Sequence, residues 1–378
     1  MPKDDAPTLT QRRLNRATLA RQMLLAREKR EKTTALRVIE RLAGMQAQWP
    51  QPPYIGLWTR IDGFERADLA RLFTRRDAVR ATMMRGTIHV VSAKDYAAWR
   101  PMLQPLLTRG MRSILRGVAD EIDLDGLVAE ARAFFDEEPR TFTELRAHLV
   151  KRKHQPKIPE RAMGLAVRYH LPLAMVPTDA AWGFPSNADF AVAEKWLGKP
   201  VGKSDAPDAL VLRYLAAFGP ATVGDVQEWS GLAGLREVVE RLRPKLVTFR
   251  DERKRELFDL PKAPRPDADV DTPVRFLPEF DNLILAHSDR SRFIAEQHRA
   301  FVFLPGLRVL QTILVDGFVA GTWTIERVKR SATLVVEPFG ALSKKVEREV
   351  AAEGDALLRF HDADAESFDV RFAKPKQR

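Results

Sequence analysis

The sequence contains no cysteine, which excludes disulfide bonds and thiolate metal sites and predicts a reducing, cytoplasmic compartment. No stretch approaches the roughly 20 consecutive apolar residues that a membrane-spanning helix needs. The segment from Met1 to Pro7 lacks the apolar core of a secretory signal. We therefore expect a cytoplasmic protein that has no membrane partner.

Signatures of cofactor and metal chemistry are also missing. The sequence has no Gly-x-x-x-x-Gly-Lys phosphate loop, no Gly-x-Gly-x-x-Gly after a strand and no Gly-x-Ser-x-Gly elbow. Its 7 histidines are scattered without the spacing of metal ligands. We therefore expect neither a metal nor a cofactor, and a metabolic enzyme with a small-molecule pocket is the weakest of the function classes considered.

What the chain has in excess is positive charge. Lys and Arg number 62 against 51 for Asp and Glu, which gives a formal charge of +11 over 378 residues. Such an excess attracts polyanions, above all nucleic acid, although a basic surface can also serve solubility alone. With 45% hydrophobic and 30% charged residues the chain has the composition of a folded protein.

A repeated pattern gives the clearest sign of domain organisation. The motif Pro-x-Thr-apolar-x-acid-apolar occurs at 139–145 and again at 220–226. Thr141 with Glu144, and Thr222 with Asp225, have the spacing of a capping box at a helix N-terminus. An apolar helix precedes each motif, and a further helix and a candidate hairpin follow it, which is the order of a winged helix. Helices within 9–48 and a hairpin at 79–92 suggest an earlier unit of the same kind.

After residue 261 the composition changes to a polar linker and then to β-rich runs. An Asp316-Gly317 turn between alternating apolar runs predicts a hairpin, and 344–358 has the pattern of an amphipathic helix. The predicted fold is α+β, with three tandem winged-helix units followed by a small antiparallel, barrel-like β domain. The predicted ranges are 8–118, 119–200 and 201–262 for the winged helices and 270–378 for the β domain.

One short motif has no evident structural purpose. Gln46 and Gln48 flank Ala47 at the predicted end of a helix, just before a predicted break at 51–53. Two carboxamides can hold and orient a water molecule, since each offers donor and acceptor atoms. Taken alone, the spacing of the pair favours exposed amides at a helix C-terminus.

The run from Gly44 to Gln48, Gly-Met-Gln-Ala-Gln, resembles the Gln-x-Gln signature of winged-helix DNA glycosylases of the AlkZ/YcaQ type. The stretches 85–89, 275–290 and 315–323 are similar to that family as well, and they occur in the expected order along nearly the whole chain. The resemblance implies a C-shaped protein that holds duplex DNA and excises alkylated purines, cross-linked ones included, without metal or nucleotide cofactor.

The resemblance also makes Gln46 and Gln48 the catalytic pair. An N7-alkylated purine is already cationic and leaves without a general acid, so neutral amides suffice to place a water and to stabilise the sugar cation. Other members carry Asp in the second position. Gln48 at that position favours a narrow range of labile substrates.

Several basic and polar residues are predicted to contact DNA. Thr87 and His89 have a second interpretation as hydrogen-bonding partners within the hairpin, and Asp281 as a structural cap. Trp182, Trp229 and Trp323 are expected in the core or packed against a wing, and not as surfaces for base stacking. The predicted DNA contacts are Arg12, Arg13, Arg85, Thr87, His89, Lys151, Arg152, Lys153, His287, Arg290 and Arg292.

We therefore interpret the chain as a monofunctional DNA N-glycosylase, a hydrolase of base excision repair associated with the nucleoid. Its predicted partner is duplex DNA with alkylated purines. It is expected to act as a monomer, since no dimerisation helix is evident in the sequence. The alternative is a winged-helix protein that binds DNA without catalysis, as a transcription regulator or a lesion binder.

Overall fold

A computed structural model describes residues 6–202 and 207–376. The expectations for residues 1–5 of the N-terminus, for 203–206 at the start of the third predicted unit and for 377–378 lie outside the described residues. The described α-helices are α1 Gln11–Arg21, α2 Ala35–Arg41, α3 Pro52–Trp58, α4 Arg66–Thr74, α5 Ala93–Trp99, α6 Gln104–Ile114, α7 Leu124–Glu137, α8 Phe142–Lys151, α9 Glu160–His170, α10 Ala193–Leu197, α11 Asp208–Phe218, α12 Val223–Ser230, α13 Leu235–Leu242, α14 Asn282–Leu285, α15 Arg299–Val302 and α16 Lys344–His361.

The described strands form several small sheets and one larger sheet. They are β1 Thr8–Leu9, β2 Glu28–Lys29, β3 Met45–Gln46, β4 Ile61–Asp62, β5 Ala78–Thr82, β6 Ile88–Ser92, β7 Arg140–Thr141, β8 Leu173–Met175, β9 Asp189–Val192, β10 Val247–Asp251, β11 Glu256–Asp259, β12 Arg275–Leu277, β13 Phe303–Leu304, β14 Arg308–Val309, β15 Thr312–Val315, β16 Phe318–Val328, β17 Ser331–Pro338 and β18 Ser367–Phe372.

One arrangement of elements occurs three times. A helix leads into a short extended stretch, then come two further helices and an antiparallel hairpin. In each case the short stretch pairs antiparallel with the last strand of the hairpin. The first two cases form sheets of order β3-β6-β5 and β7-β9-β8, and in the third case the pairing is the single bridge between Ala221 and Phe258. We call these the first, second and third repeats. In the third, β1 from the N-terminus also joins the sheet, parallel to β10.

The two predicted capping boxes are confirmed. Thr141 and Glu144 close the N-terminus of α8, and Thr222 and Asp225 close that of α12, each through reciprocal side-chain and backbone hydrogen bonds. The predicted break at 51–53 is wrong, because Pro52 begins α3. Proline is favoured in the first helical turn, where its missing N–H would have no partner anyway.

Of the three hairpins predicted for the winged helices, β5–β6 and β10–β11 are confirmed. For the second unit the sequence predicts a wing over 173–184, but the return strand β9 begins only at Asp189. The chain between the strands makes a short 3-10 turn over 181–183, with Trp182 at a φ of 61°. The connection is therefore a longer loop than the sequence pattern suggested.

The C-terminal β domain is an open sheet and not the predicted barrel. Its order is β12-β15-β16-β17-β18, and the edge strands β12 and β18 do not pair with each other. The predicted antiparallel arrangement holds except at β17 and β18, which pair in parallel. A parallel pair needs a crossover connection, and α16 provides it. The predicted hairpin turn is confirmed, with Asp316 and Gly317 at φ of 50° and 77°.

Buried contacts run between the repeats. One apolar cluster extends from Met23 to Val192, and a second extends from Ala43 to Ala286. A buried ion pair of 2.7 Å joins Arg21 of α1 to Asp259 of β11. Within residues 6–202 and 207–376, no helix is both long and apolar enough to cross a membrane.

Candidate active site

Gln46 lies on a strand and Gln48 in the bend that follows it, so the prediction that the motif ends a helix is wrong. Helix α2 ends at Arg41, and the chain reverses through Gly44 at a φ of 89°. A side chain could not be accommodated there, since a Cβ on Gly44 would lie 2.7 Å from Val91. Strand β3 follows, and the N–H of Ala47 continues the pairing by donating to Ile88 at 2.8 Å.

The two amides have different surroundings. Gln46 ends strand β3, whereas Gln48 lies in the bend that follows the strand. Gln46 is 6% exposed, whereas Gln48 lies at the surface. The motif therefore has one amide below the surface and one at it.

Arg85 fixes the amide of Gln46. Its Nη2 donates to Oε1 of Gln46 at 2.6 Å. Arg85 occupies the hairpin turn at a φ of 56°, a conformation that costs a non-glycine residue on the order of 1 kcal/mol and is common at functional sites. Among the described residues, Nε2 of Gln46 and the side-chain amide of Gln48 have no hydrogen-bonding partner. The amide of Gln46 thus keeps its donor available.

Other parts of the chain hold Arg85 in turn. Its Nη1 donates to the carbonyl oxygen of Trp229 at 2.7 Å, and its Nη2 also donates to Asn282 at 3.2 Å. The amide of Asn282 donates to the carbonyl oxygen of Gly44 at 3.1 Å, which closes a ring of contacts around the motif. The pKa of Arg85 is lowered to about 10, mainly by burial. Glu228 acts against this shift, and Arg290 acts in the same direction as burial. Arg85 is therefore still a cation at neutral pH.

Arg80 fixes the backbone of the motif and was not predicted from the sequence. It donates to the carbonyl oxygens of Ala47 and Gln48, at 3.0 Å each. Burial lowers the pKa of Arg80 to about 10, and its guanidinium lies 5.2 Å from the ring of Phe184. The signal available in the sequence was an arginine in the middle of an otherwise apolar strand.

His89 lies directly opposite Gln46 in the sheet. Its side chain is fully buried, and burial, reinforced by Arg85, lowers its pKa to about 3. The ring is therefore neutral, with Nδ1 3.2 Å from the carbonyl oxygen of Thr87. The hydroxyl of Thr87 donates to Met84 at 3.1 Å. Both residues thus follow the second interpretation, hydrogen bonding within the hairpin.

The predicted contacts between 281 and 292 are mostly buried. Asp281 pairs with Arg60 at 2.9 Å and caps α14, which agrees with its structural interpretation. His287 lies 3.1 Å from the carbonyl oxygen of Phe218, and Arg292 donates to that of Pro220 at 2.9 Å. Since both side chains are buried, we do not retain His287 and Arg292 as DNA contacts.

The remaining predicted contacts lie nearer the surface. Arg12 pairs with Asp316 at 2.5 Å and Arg13 with Asp267 at 3.4 Å, so both tie α1 to the C-terminal part of the chain. The guanidinium of Arg290 covers the ring of Phe303 at 4.3 Å. Lys151, Arg152 and Lys153 are exposed at the end of α8.

Of the three tryptophans expected in the core or packed against a wing, two are buried. Trp229 and Trp323 are both shielded from solvent, whereas Trp182 is only half-buried, with Arg66 3.8 Å above its ring. Among the described residues, no group of three or more histidine, aspartate and glutamate side chains is placed to hold a metal ion.

The architecture matches a solved DNA glycosylase. The structure of the Streptomyces sahachiroi DNA glycosylase AlkZ superposes with a TM-score of 0.77 at 22% identity, covering 97% of this chain and all of that one. The fold is therefore the mixed α+β fold of that enzyme.

Sequence comparison identifies the family. The model of the family described as DNA glycosylase AlkZ-like matches residues 39–360, which include the Gln-x-Gln motif and most of the C-terminal domain. A protein of Streptomyces sahachiroi named interstrand DNA cross-link repair glycosylase is 26% identical over 355 residues, covering 86% of this chain and 91% of that protein. The chain belongs to the AlkZ-like DNA glycosylase family.

Proposed function

We propose that this protein excises N7-alkylated purines, bulky or cross-linked ones included, from duplex DNA by hydrolysing the N-glycosidic bond. The observation that carries the proposal is the 2.6 Å hydrogen bond by which Arg85 fixes Gln46, two residues before Gln48. The name of the Streptomyces sahachiroi relative, a cross-link repair glycosylase, supports the same substrate class.

The geometry suggests different tasks for the two amides. Because Arg85 binds Oε1 of Gln46, Nε2 of that amide is left as a donor toward the oxygen of a water molecule. Gln48, whose backbone Arg80 holds, offers an acceptor for a proton of that water. Positioning of this kind is the main requirement when the leaving group is already activated.

In the proposed hydrolysis, the bonds broken and formed balance without a cofactor. The bond from C1′ to N9 breaks, and its electron pair neutralises the positive charge of the alkylated purine, which leaves as a neutral base. The water oxygen bonds to C1′, and the surplus proton passes to solvent. The amides stabilise the oxocarbenium-like sugar through their oriented dipoles.

We further propose that the three repeats are winged-helix units, with boundaries at 8–118, 119–200 and 201–262, arranged as a C around the duplex with the β domain at 270–378. In this proposal Lys151, Arg152 and Lys153 contact phosphates, since they are exposed and basic. The expected state is a monomer on duplex DNA.

The test is excision from duplexes that carry 7-methylguanine or a nitrogen-mustard cross-link, read as alkali-labile sites. The wild-type protein should release the base, and a Gln46→Ala, Gln48→Ala variant should not. Arg140→Ala is the control, because Arg140 lies in β7, the strand of the second repeat that corresponds to β3. Binding without excision by the wild-type protein would favour the non-enzymatic alternative.

A further inference from the structure

An open groove lies beside the Gln-x-Gln motif, and the residues that line it have no part in the proposed reaction. The groove has a volume of about 710 Å³ and includes Gln51, three residues after Gln48. Pro278 lines both this groove and the small polar cavity next to Gln46. We call it the side groove, and it adjoins the candidate active site.

One part of the side groove is apolar. The indole N–H of Trp323 donates to the carbonyl oxygen of Leu277 at 3.0 Å, so this ring presents only its hydrocarbon surface to the groove. Apolar walls of this kind suit an alkyl chain, because moving such a chain out of water is favourable. The apolar lining consists of Pro52, Ile55, Pro278, Trp323 and Ile325.

The charged and ring donors of the groove are bound within the protein. Nδ1 of His361 lies 2.7 Å from the carboxylate of Asp362, and burial lowers the pKa of His361, so the ring is neutral with its proton on Nδ1. Its Nε2 therefore accepts from the side-chain amide of Gln51. Arg327 donates to Asp362 at 3.1 Å and to Asp364 at 3.0 Å.

The acceptors of the groove, in contrast, remain available. Because Nε2 of Gln51 donates to His361, Oε1 of the same amide is left without a partner among the described residues. Oε1 of Gln311 is buried and also has no hydrogen-bonding partner there. The half-buried carboxylate of Glu279 forms no salt bridge within residues 6–202 and 207–376, and burial raises its pKa. A buried acceptor without a donor is costly, so this part of the groove favours a ligand that donates.

An apolar wall next to three acceptors is the complement of an alkylammonium group. We propose that the side groove binds the substituent of a bulky N7 adduct, with its alkyl chain on the apolar wall and a protonated amine at Gln51, Glu279 and Gln311. A protonated amine offers three donors and a charge that the carboxylate attracts. This inference rests on the proposed function and names the adducts that the site should prefer.

The net charge of the protein makes the inference easy to test. A protonated amine on the lesion removes negative charge from the duplex, which should weaken its attraction to a protein of formal charge +11. A preference for the charged adduct therefore cannot come from the general field of the protein. It requires local acceptors such as those of the side groove.

Affinity is measured on duplexes in which N7 of one guanine carries a methyl group, a butyl chain or an aminopropyl chain. A 2′-fluoro sugar at the lesion slows hydrolysis during the measurement. The wild-type protein should bind the aminopropyl duplex roughly 10-fold more tightly than the butyl duplex of the same length, as expected for a hydrogen bond to a charged group. Equal affinity, or tighter binding of the butyl duplex, would overturn the proposal.

Two variants assign the preference to the groove. Glu279→Gln keeps the size of the side chain and should reduce the preference to about threefold or less, with little change in affinity for the 7-methylguanine duplex. Gln311→Met removes the buried acceptor and should reduce the preference by about threefold. Glu326→Gln is the matched control, because Glu326 lies on β16 outside the groove and pairs with Arg371 at 3.0 Å. A full preference in both groove variants would overturn the assignment.

Excision separates failure of this inference from failure of the proposed function. Release of 7-methylguanine by a wild-type protein that does not prefer the aminopropyl duplex would reject the groove and keep the glycosylase. A binding preference that depends on Glu279, without release of any of the three bases from duplexes with ordinary sugars, would reject the glycosylase and keep the groove.

Discussion

The first and second repeats differ in the contacts that hold the joint between their short strand and the helix that follows it. In the second, the joint between strand β7 and helix α8 is closed by Thr141 and Glu144, which lie three residues apart. In the first, α3 has no side-chain cap, and the equivalent strand β3 is held by Arg80, Arg85 and Asn282. Asn282 lies 238 residues from its partner Gly44.

The difference shows that the joint in the second repeat is held by neighbouring residues, whereas the joint in the first is held by residues from distant parts of the chain. A capping box needs only its own helix, so it serves folding and nothing else. The joint in the first repeat depends on arginines whose burial is costly and on a strained turn, features that cluster at functional sites. The comparison makes four predictions, from the largest expected effect to the smallest.

Replacing the motif itself should have the largest effect. We expect Gln46→Ala to reduce single-turnover excision of 7-methylguanine by roughly 100- to 1,000-fold, the range for removing one oriented donor at a reacting centre. Arg140→Ala, in the corresponding strand β7 of the second repeat, should stay within about threefold of wild type. Similar losses of excision in both variants would contradict the proposal that the first repeat carries the active site and the second does not.

Removing the residue that fixes the motif should come next. Arg85→Met deletes the hydrogen bonds to Gln46, Trp229 and Asn282, and we expect excision to fall by roughly 10- to 100-fold, in line with about 1.5 to 3 kcal/mol for a hydrogen bond to a charged group. The affinity for undamaged duplex should change little. Arg168→Met is the control, since Arg168 is a shielded arginine of the second repeat, 4.5 Å from the ring of Phe142. An excision rate unchanged in Arg85→Met would count against its positioning role.

The third prediction concerns His89, the buried histidine of the first repeat, whose counterpart in the second is Asp189. The folded pKa of His89 is about 3, below the ordinary 6.5, so the unfolded chain takes up the proton first. Its neutral form therefore stabilises the fold fully above pH 6.5, and this contribution is lost as the pH falls from 6.5 toward 3. Between pH 8 and pH 5 the loss is about 2 kcal/mol.

Denaturant titrations at several pH values test this. In His89→Phe, which replaces the buried imidazole by a ring that does not titrate, the unfolding free energy should fall less steeply between pH 8 and pH 5 than in wild type. Burial also lowers the pKa of His287, so a slope of the same sign should persist in the variant. Identical slopes in the two proteins would rule out His89 as its source.

The smallest effect is expected at the capping box. Thr141→Ala removes the cap of α8 and should lower the unfolding free energy by about 1 kcal/mol. Excision should remain unchanged, because the second repeat closes this joint without contacting the Gln-x-Gln strand. A loss of excision in a variant that is folded at the assay temperature would show that the two joints are coupled.

Local signals in the sequence predicted much of the fold. The capping boxes at Thr141 and Thr222 were confirmed because their hydrogen bonds span three residues. The hairpin turn at Asp316-Gly317 was confirmed for the same reason. The first repeat lacks such a cap, so its strand was taken for a helix end and Pro52 for a helix break.

For the candidate site, the sequence predicted some of the residues that take part but not the contacts that hold them in place. Gln46 and Gln48 were found through a family resemblance, since two amides two residues apart indicate no particular chemistry by themselves. Arg80 and Asn282 could not be found, because their contacts join distant parts of the chain. His287 and Arg292 seemed suited to DNA by residue type, yet folding buries both against the third repeat.

The segment 282–292 makes the repeats inseparable as modules. Asn282 contacts Gly44 in the first repeat, while His287 and Arg292 contact Phe218 and Pro220 at the joint of the third. A repeat could not be exchanged or duplicated as a cassette without breaking one of these connections. Recombination between relatives should therefore succeed only when the donor supplies both repeats together with this segment.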